Sequence, residues 1–171
     1  MVQTALALVY ADLVADVKTS TDGKLYPLGT KREEDGKIYR YVEKGAGATA
    51  AVNGKLAYHQ DGDFKVTATA ADTDDGLVAG VWMSVIAASG FGWIMVRGRK
   101  TLTTSGVDDI IKGDALIGDA AAAGGVRRAV LTVAGTTGAE VRAALDMGIV
   151  ARALADDVDA ADTVDAYVVI E

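Results

Sequence analysis

The chain has 171 residues, 50% hydrophobic and 24% charged, which is enough to bury one core and is ordinary for a globular domain. Its net charge of −7 argues against a surface that neutralises nucleic-acid phosphates, and its lack of cysteine excludes disulfides, thiolate zinc sites and cysteine nucleophiles. No apolar run approaches the roughly 20 residues that cross a bilayer, so neither nucleic acid nor membrane is an expected partner.

Met1–Thr21 fits two readings. Leu6, Leu8 and Tyr10 alternate as a strand would, while Ala5, Leu6, Val9 and Leu13 fit a helical stripe. Either element could pack on its own domain. The segment could also be an arm that docks on a neighbouring subunit, with Leu6, Leu8 and Tyr10 as its contact residues. No cationic region precedes Ala5–Tyr10, so a secretory leader is not expected and synthesis in the cytoplasm is.

Leu25–Thr30 reads as a short extended element, with Pro27 at a strand start or sheet edge. Lys31–Gly36 is densely charged and reads as a solvated turn ending in the hairpin signal Asp35-Gly36. Lys37–Val42 alternates, putting Tyr39 and Tyr41 on one face and Ile38 and Val42 on the other. Gly45-Ala46-Gly47 loosely echoes a dinucleotide loop, but no amphipathic helix follows, so no cofactor is expected. Asn53-Gly54 is a second hairpin signal. Phe64–Ala70 predicts a strand with Phe64, Val66, Ala68 and Ala70 inward and Lys65, Thr67 and Thr69 outward. Asp72–Gly76 resembles a calcium loop only briefly: Leu77 and Met83 occupy the sixth and twelfth positions, where an EF-hand needs Gly and Glu.

Leu77–Arg97 is the expected spine. Leu77–Ile86 and Phe91–Val96 are apolar runs joined by a short linker, which predicts an antiparallel pair. Phe91, Trp93 and Met95 fall on one face of the second run, Ile94 and Val96 on the other. Both faces are apolar, so this strand should be buried on both sides. Thr101–Thr104 should finish this strand, and further strands are expected at Ala115–Gly118, Val126–Val133, Ile149–Leu154 and Val164–Ile170. Thr137 and Glu140 form a capping box, predicting one short helix over Ala139–Met147. The sum is a mainly β chain of about ten short strands, in a compact barrel-like domain with one short helix. Residues 22–171 form this single domain, and residues 1–21 form an arm or edge segment.

Catalytic patterns are missing. His59 is the single histidine and has no G-x-S-x-G elbow to serve. The acids cluster in turns, where carboxylates are normally solvated. No enzymatic activity, metal or cofactor is expected. A non-catalytic binding module for carbohydrate or a host surface is one reading, with Tyr39, Tyr41 and Tyr58 as a possible aromatic face.

Several separated pieces point elsewhere. Leu25-Tyr26-Pro27-Leu28-Gly29-Thr30, then Asp35–Val42, then Phe91-Gly92-Trp93-Ile94-Met95-Val96-Arg97-Gly98, then Gly113-Asp114-Ala115-Leu116, then Ala161–Ile170, resemble in order the capsid decoration proteins of tailed bacteriophages. These are also called cement or head-stabilisation proteins. The signature residues are Pro27, Gly29, Tyr39, Tyr41, Gly92, Trp93 and Gly98. The resemblance implies a barrel- or tulip-like β domain that binds the outer face of the assembled capsid. It implies a homotrimer clamping neighbouring major capsid protein subunits, without catalytic residues. Phe91 stands where Tyr is common in that family, and the N-terminal segment and the capped helix are additions to its pattern.

Overall fold

The computed structural model describes residues 13, 16–47, 49–60, 64–69, 77–106, 109–119, 124–129, 149–156 and 163–170. Leu6, Leu8, Tyr10, the Asp72–Gly76 turn and the helix expected at Ala139–Met147 lie outside them. The described residues contain no helix. Their strands are β1 (Lys31–Glu34), β2 (Lys37–Lys44), β3 (Leu56–His59), β4 (Lys65–Thr67), β5 (Val78–Trp82), β6 (Phe91–Thr103), β7 (Ala115–Gly118), β8 (Val126–Arg128), β9 (Ala151–Ala153) and β10 (Thr163–Val169). The chain is mainly β.

Five strands close a barrel in the order β2-β4-β3-β5-β6, sealed by the β2–β6 pairing. Only the β2–β4 contact is parallel. Closure removes the exposed edges that five short strands would otherwise present. Strand β6 is 13 residues long and outruns the barrel. Its second half pairs with β10, and β9, β7 and β8 follow as a wing. The expected antiparallel pair of apolar runs is present as β5 and β6.

Two apolar clusters divide the faces of these strands. Val42, Ala57, Val66, Ala79, Trp82, Ile94 and Val96, with Ala51 and Ile86, form one. Every barrel strand contributes to it and no wing strand does, so it is the barrel interior. Its alanines suit the narrow bore, and Trp82 fills it. The other cluster joins Tyr39, Tyr41, Leu56, Tyr58, Val81, Trp93 and Met95 to wing residues such as Leu116, Val150, Val164 and Val168. It lies between the outside of the barrel and the wing. The two faces read from Phe91–Val96 thus pack against two different cores.

A bulge changes the phase of β6. Tyr39 pairs with Met95 and Ile38 with Arg97, leaving Val96 as the extra residue. One inserted residue exchanges the two faces of a strand. Before the bulge, odd positions such as Trp93 face the outer core. Beyond it, Leu102 does, and Arg97, Arg99 and Thr101 are exposed. Gly98 sits at this step with φ +128°, and a Cβ there would come 2.7 Å from Lys37 Cγ. Glycine takes this backbone shape without a steric penalty.

Four local expectations need correction. Lys31–Glu34 is a strand, not a turn. Asp35 (φ 49°) and Gly36 (φ 71°) alone make the two-residue hairpin turn, and the charges keep this edge strand from pairing with other chains. Leu25–Thr30 is not extended: the Thr30 amide donates to the Pro27 carbonyl at 3.1 Å across a turn with Gly29 at φ +82°. Asn53-Gly54 turns the chain, but the flanking segments pair elsewhere, Ala51 with Ile86 and β3 with β4 and β5. The strand expected at Phe64–Ala70 is only Lys65–Thr67, because Phe64 takes φ +64°, and Thr67 is buried rather than outward.

Candidate functional site

The β2–β6 ladder sets Tyr41 directly opposite Trp93 and Val42 opposite Gly92. The preceding turn lays Tyr26 on this pair. Ring centroids stand 5.1 Å apart for Tyr41–Trp93, 5.3 Å for Tyr26–Tyr41 and 5.5 Å for Tyr26–Trp93. Edge-on and tilted arrangements of this kind place a positive ring edge against a negative ring face. The Arg32 guanidinium covers the cluster, 4.5 Å from the Tyr26 ring centroid and 5.1 Å from that of Trp93.

Asp16 enters this cluster from the N-terminal side and is buried. Its carboxylate accepts the Trp93 indole N–H at 2.9 Å and the Tyr26 hydroxyl at 3.5 Å. Its backbone carbonyl accepts the Tyr41 hydroxyl at 3.3 Å. Two residues on, Lys18 and Phe91 exchange both backbone hydrogen bonds, at 3.0 and 2.8 Å. Val17 packs against the barrel-interior cluster. Asp16–Lys18 is therefore latched to the start of β6 by one buried carboxylate and a two-way backbone bridge. Burial raises the Tyr41 phenol above its usual value, so it remains a donor at neutral pH.

Glycines make room for the latch. A Cβ on Gly92 would collide with Ile86 Cδ1, and one on Gly29 with the Phe64 ring. Gly29 N–H also donates to the Tyr41 carbonyl at 2.8 Å. The structure thus gathers the signature residues Tyr39, Tyr41, Gly92 and Trp93 along one ladder, with Gly98 just past its end and Pro27 and Gly29 in the turn beside it.

Asp16, Tyr26 and Arg32 were not among the candidates read from the sequence. The available signal was an acid set in an apolar stretch, between Leu13 and Val17. Lys44 was also missed: it is buried, with its ammonium donating to the Gly45 and Gly47 carbonyls at 3.2 and 3.0 Å. Tyr39, Tyr41 and Tyr58 are all buried and form no exposed aromatic face for a sugar ring. His59 ends β3, its imidazole pKa lowered by burial and by Arg40. Among the described residues no group of three or more acids and histidine is placed to hold a metal.

Tyr58 gives a pH prediction. Its hydroxyl is buried against the wing without a hydrogen-bond partner, and burial, reinforced by Asp119, pushes its pKa up to about 12. The unfolded chain would lose this proton near pH 10. Between the two values the unfolded state binds fewer protons, so stability falls as pH rises. Tyr58 should account for a fall on the order of 2 kcal/mol, so Tyr58→Phe should show a clearly smaller drop, the remainder coming from the raised Tyr39 and Tyr41 phenols, as measured by urea unfolding at pH 9 and pH 11.5.

No protein-family model matches the chain, and no curated protein matches it. A solved structure described as the head fiber gp8.5 N base in bacteriophage phi29 is similar at 11% sequence identity, over 77% of this chain and 93% of that one, with a TM-score of 0.45.

Proposed function

We propose that this chain is a structural, non-catalytic protein of a tailed-phage virion. In this reading it binds the outer face of the assembled capsid as a homotrimer and ties neighbouring major capsid protein subunits together. The observation that carries it is the β2–β6 ladder. Two pieces of the family resemblance are far apart in sequence, yet Ile38–Val42 of one pairs with Gly92–Arg97 of the other. That these pieces share one ladder supports the reading. A cement role needs many modest contacts spread over several subunits, and such contacts gain from avidity.

The latch gives the N-terminal segment a fixed root on this unit, which suits residues 1–12 to engaging a neighbour. A chain comprising residues 13–171 keeps Asp16, Val17 and Lys18. It should retain the unfolding midpoint of the full chain while binding undecorated, expanded shells at least about tenfold more weakly in cosedimentation. Equal binding by the two chains would remove the arm from the account. Binding by neither would remove the capsid reading itself.

A further inference from the structure

The outward face of the β6–β10–β9 ladder carries a cluster of arginines in a chain whose net charge is −7. Beyond the bulge, Arg97 lies opposite Val169 and Arg99 opposite Tyr167, while Arg152 of β9 lies on the other side of Tyr167. Tyr167 is 36% exposed and Val169 44%. Arg97 hydrogen-bonds Tyr167. Arg99 donates to Asp165 at 2.7 Å, and the Thr101 hydroxyl donates to the same carboxylate at 2.7 Å. Asp165 answers one of the three guanidinium groups, and Glu33 of β1 acts on Arg97 from across β2. The result is an apolar centre rimmed by positive charge.

A second surface has the opposite pattern. Ile111 is 54% exposed on the turn before β7. The Asp114 carboxylate accepts its amide at 2.9 Å, the Asp156 carboxylate accepts the Lys112 amide at 2.6 Å, and Asp109 is exposed two residues before Ile111. Lys112 adds one opposing charge. This is an apolar knob among carboxylates. Arg152 reaches the Gly113 carbonyl of this turn at 3.4 Å, so the two surfaces share a border.

We propose that these surfaces meet head to tail between two copies of this chain, Ile111 of one copy seating against Tyr167 and Val169 of the next. The carboxylates around Ile111 then face Arg97, Arg99 and Arg152. The proposal rests on the reading of the chain as an oligomeric decoration protein and names the contact that builds the oligomer. Copies carrying −7 each repel one another at long range, so a cationic face is where an approach is favourable. Tyr and Arg are enriched at protein interfaces, and rim charges fix orientation. Two different patches in contact make a heterologous interface, which can close a ring.

Sedimentation velocity of the full chain over a dilution series tests this. The wild-type chain should associate reversibly. Ile111→Arg sets a cation against the arginines, and Tyr167→Glu sets an anion against the carboxylates. Each should weaken association at least about tenfold, and the double variant should recover most of the loss. Both positions are exposed, and circular dichroism checks that the fold is kept. The milder Ile111→Ser and Tyr167→Ser should act in the same direction if a charged variant misfolds. A wild-type monomer throughout, single variants that associate normally, or a double variant as dissociated as the singles would each overturn the contact. Shell cosedimentation of the same samples separates the two ideas. A monomer that still decorates shells overturns only the contact, whereas association through this contact without shell binding overturns only the decoration reading.

Discussion

Trp93→Phe should lower the unfolding free energy by roughly 2–4 kcal/mol, while Trp82→Phe should cost under about 2 kcal/mol. The two tryptophans are equally buried, but their indole nitrogens are not equivalent. Trp93 donates to the buried Asp16 carboxylate, whereas Trp82 Nε1 sits in the barrel bore without a partner. Phenylalanine at 93 therefore leaves a buried charge short of a donor, in addition to the lost volume. Phenylalanine at 82 removes an indole N–H that had no bond to lose. Hydrogen exchange should locate the damage. In Trp93→Phe the Lys18 and Phe91 amides, which bridge the latch, should lose protection before the rest of β6. Urea unfolding of both variants checks the order. Equal costs would mean that Asp16 draws no stability from the indole.

Gly92→Val should cost about 3 kcal/mol or more, the upper end of overpacking effects. The backbone of Gly92 is the floor on which Ile86 rests, and Val17 Cγ2 stands 3.7 Å from where a Cβ would be. Ile86 is fully buried in the barrel interior, so it has no free space to enter. A side chain at 92 must push Ile86 into the bore, or push Val17 and the latched segment off the barrel. Gly36→Ala is the contrasting control. Its Cβ would meet nothing within 4 Å, and the cost there is only that of a left-handed backbone, about 1 kcal/mol. Thermal unfolding followed by circular dichroism distinguishes the two, and a smaller loss at Gly92 than at Gly36 would contradict this packing account.

The strands were legible in the sequence wherever alternation was unbroken. Lys37–Val42 and Val164–Ile170 lie where the period-2 pattern puts them, and the two faces of Phe91–Val96 pack as read. Legibility failed where backbone geometry overrode the pattern. The bulge at Val96 exchanges the faces of β6, and no hydropathy pattern marks an inserted residue; Gly98 was its only trace. Lys31–Glu34 reads as a turn because charge normally marks solvent, yet an edge strand with one partner can be charged throughout. Phe64 reads as an inward strand residue but takes φ +64°, which shortens β4. The closed barrel depends on β2 pairing with both β4 and β6, and pairings this distant in sequence leave no local signal. The signature residues were found through family resemblance. Their partner Asp16 was missed because a single acid looks like any other surface acid until the indole above it is placed.

In the proposed function the β2–β6 unit is the scaffold of a capsid-binding protein. The most direct test is electron cryomicroscopy of undecorated, expanded shells of the cognate major capsid protein, mixed with increasing amounts of the purified chain. The predicted result is density at symmetry-related positions on the outer face, bridging neighbouring subunits and saturating at a fixed number per shell. Shells that stay bare with the chain in excess, while the chain itself is folded, would contradict it.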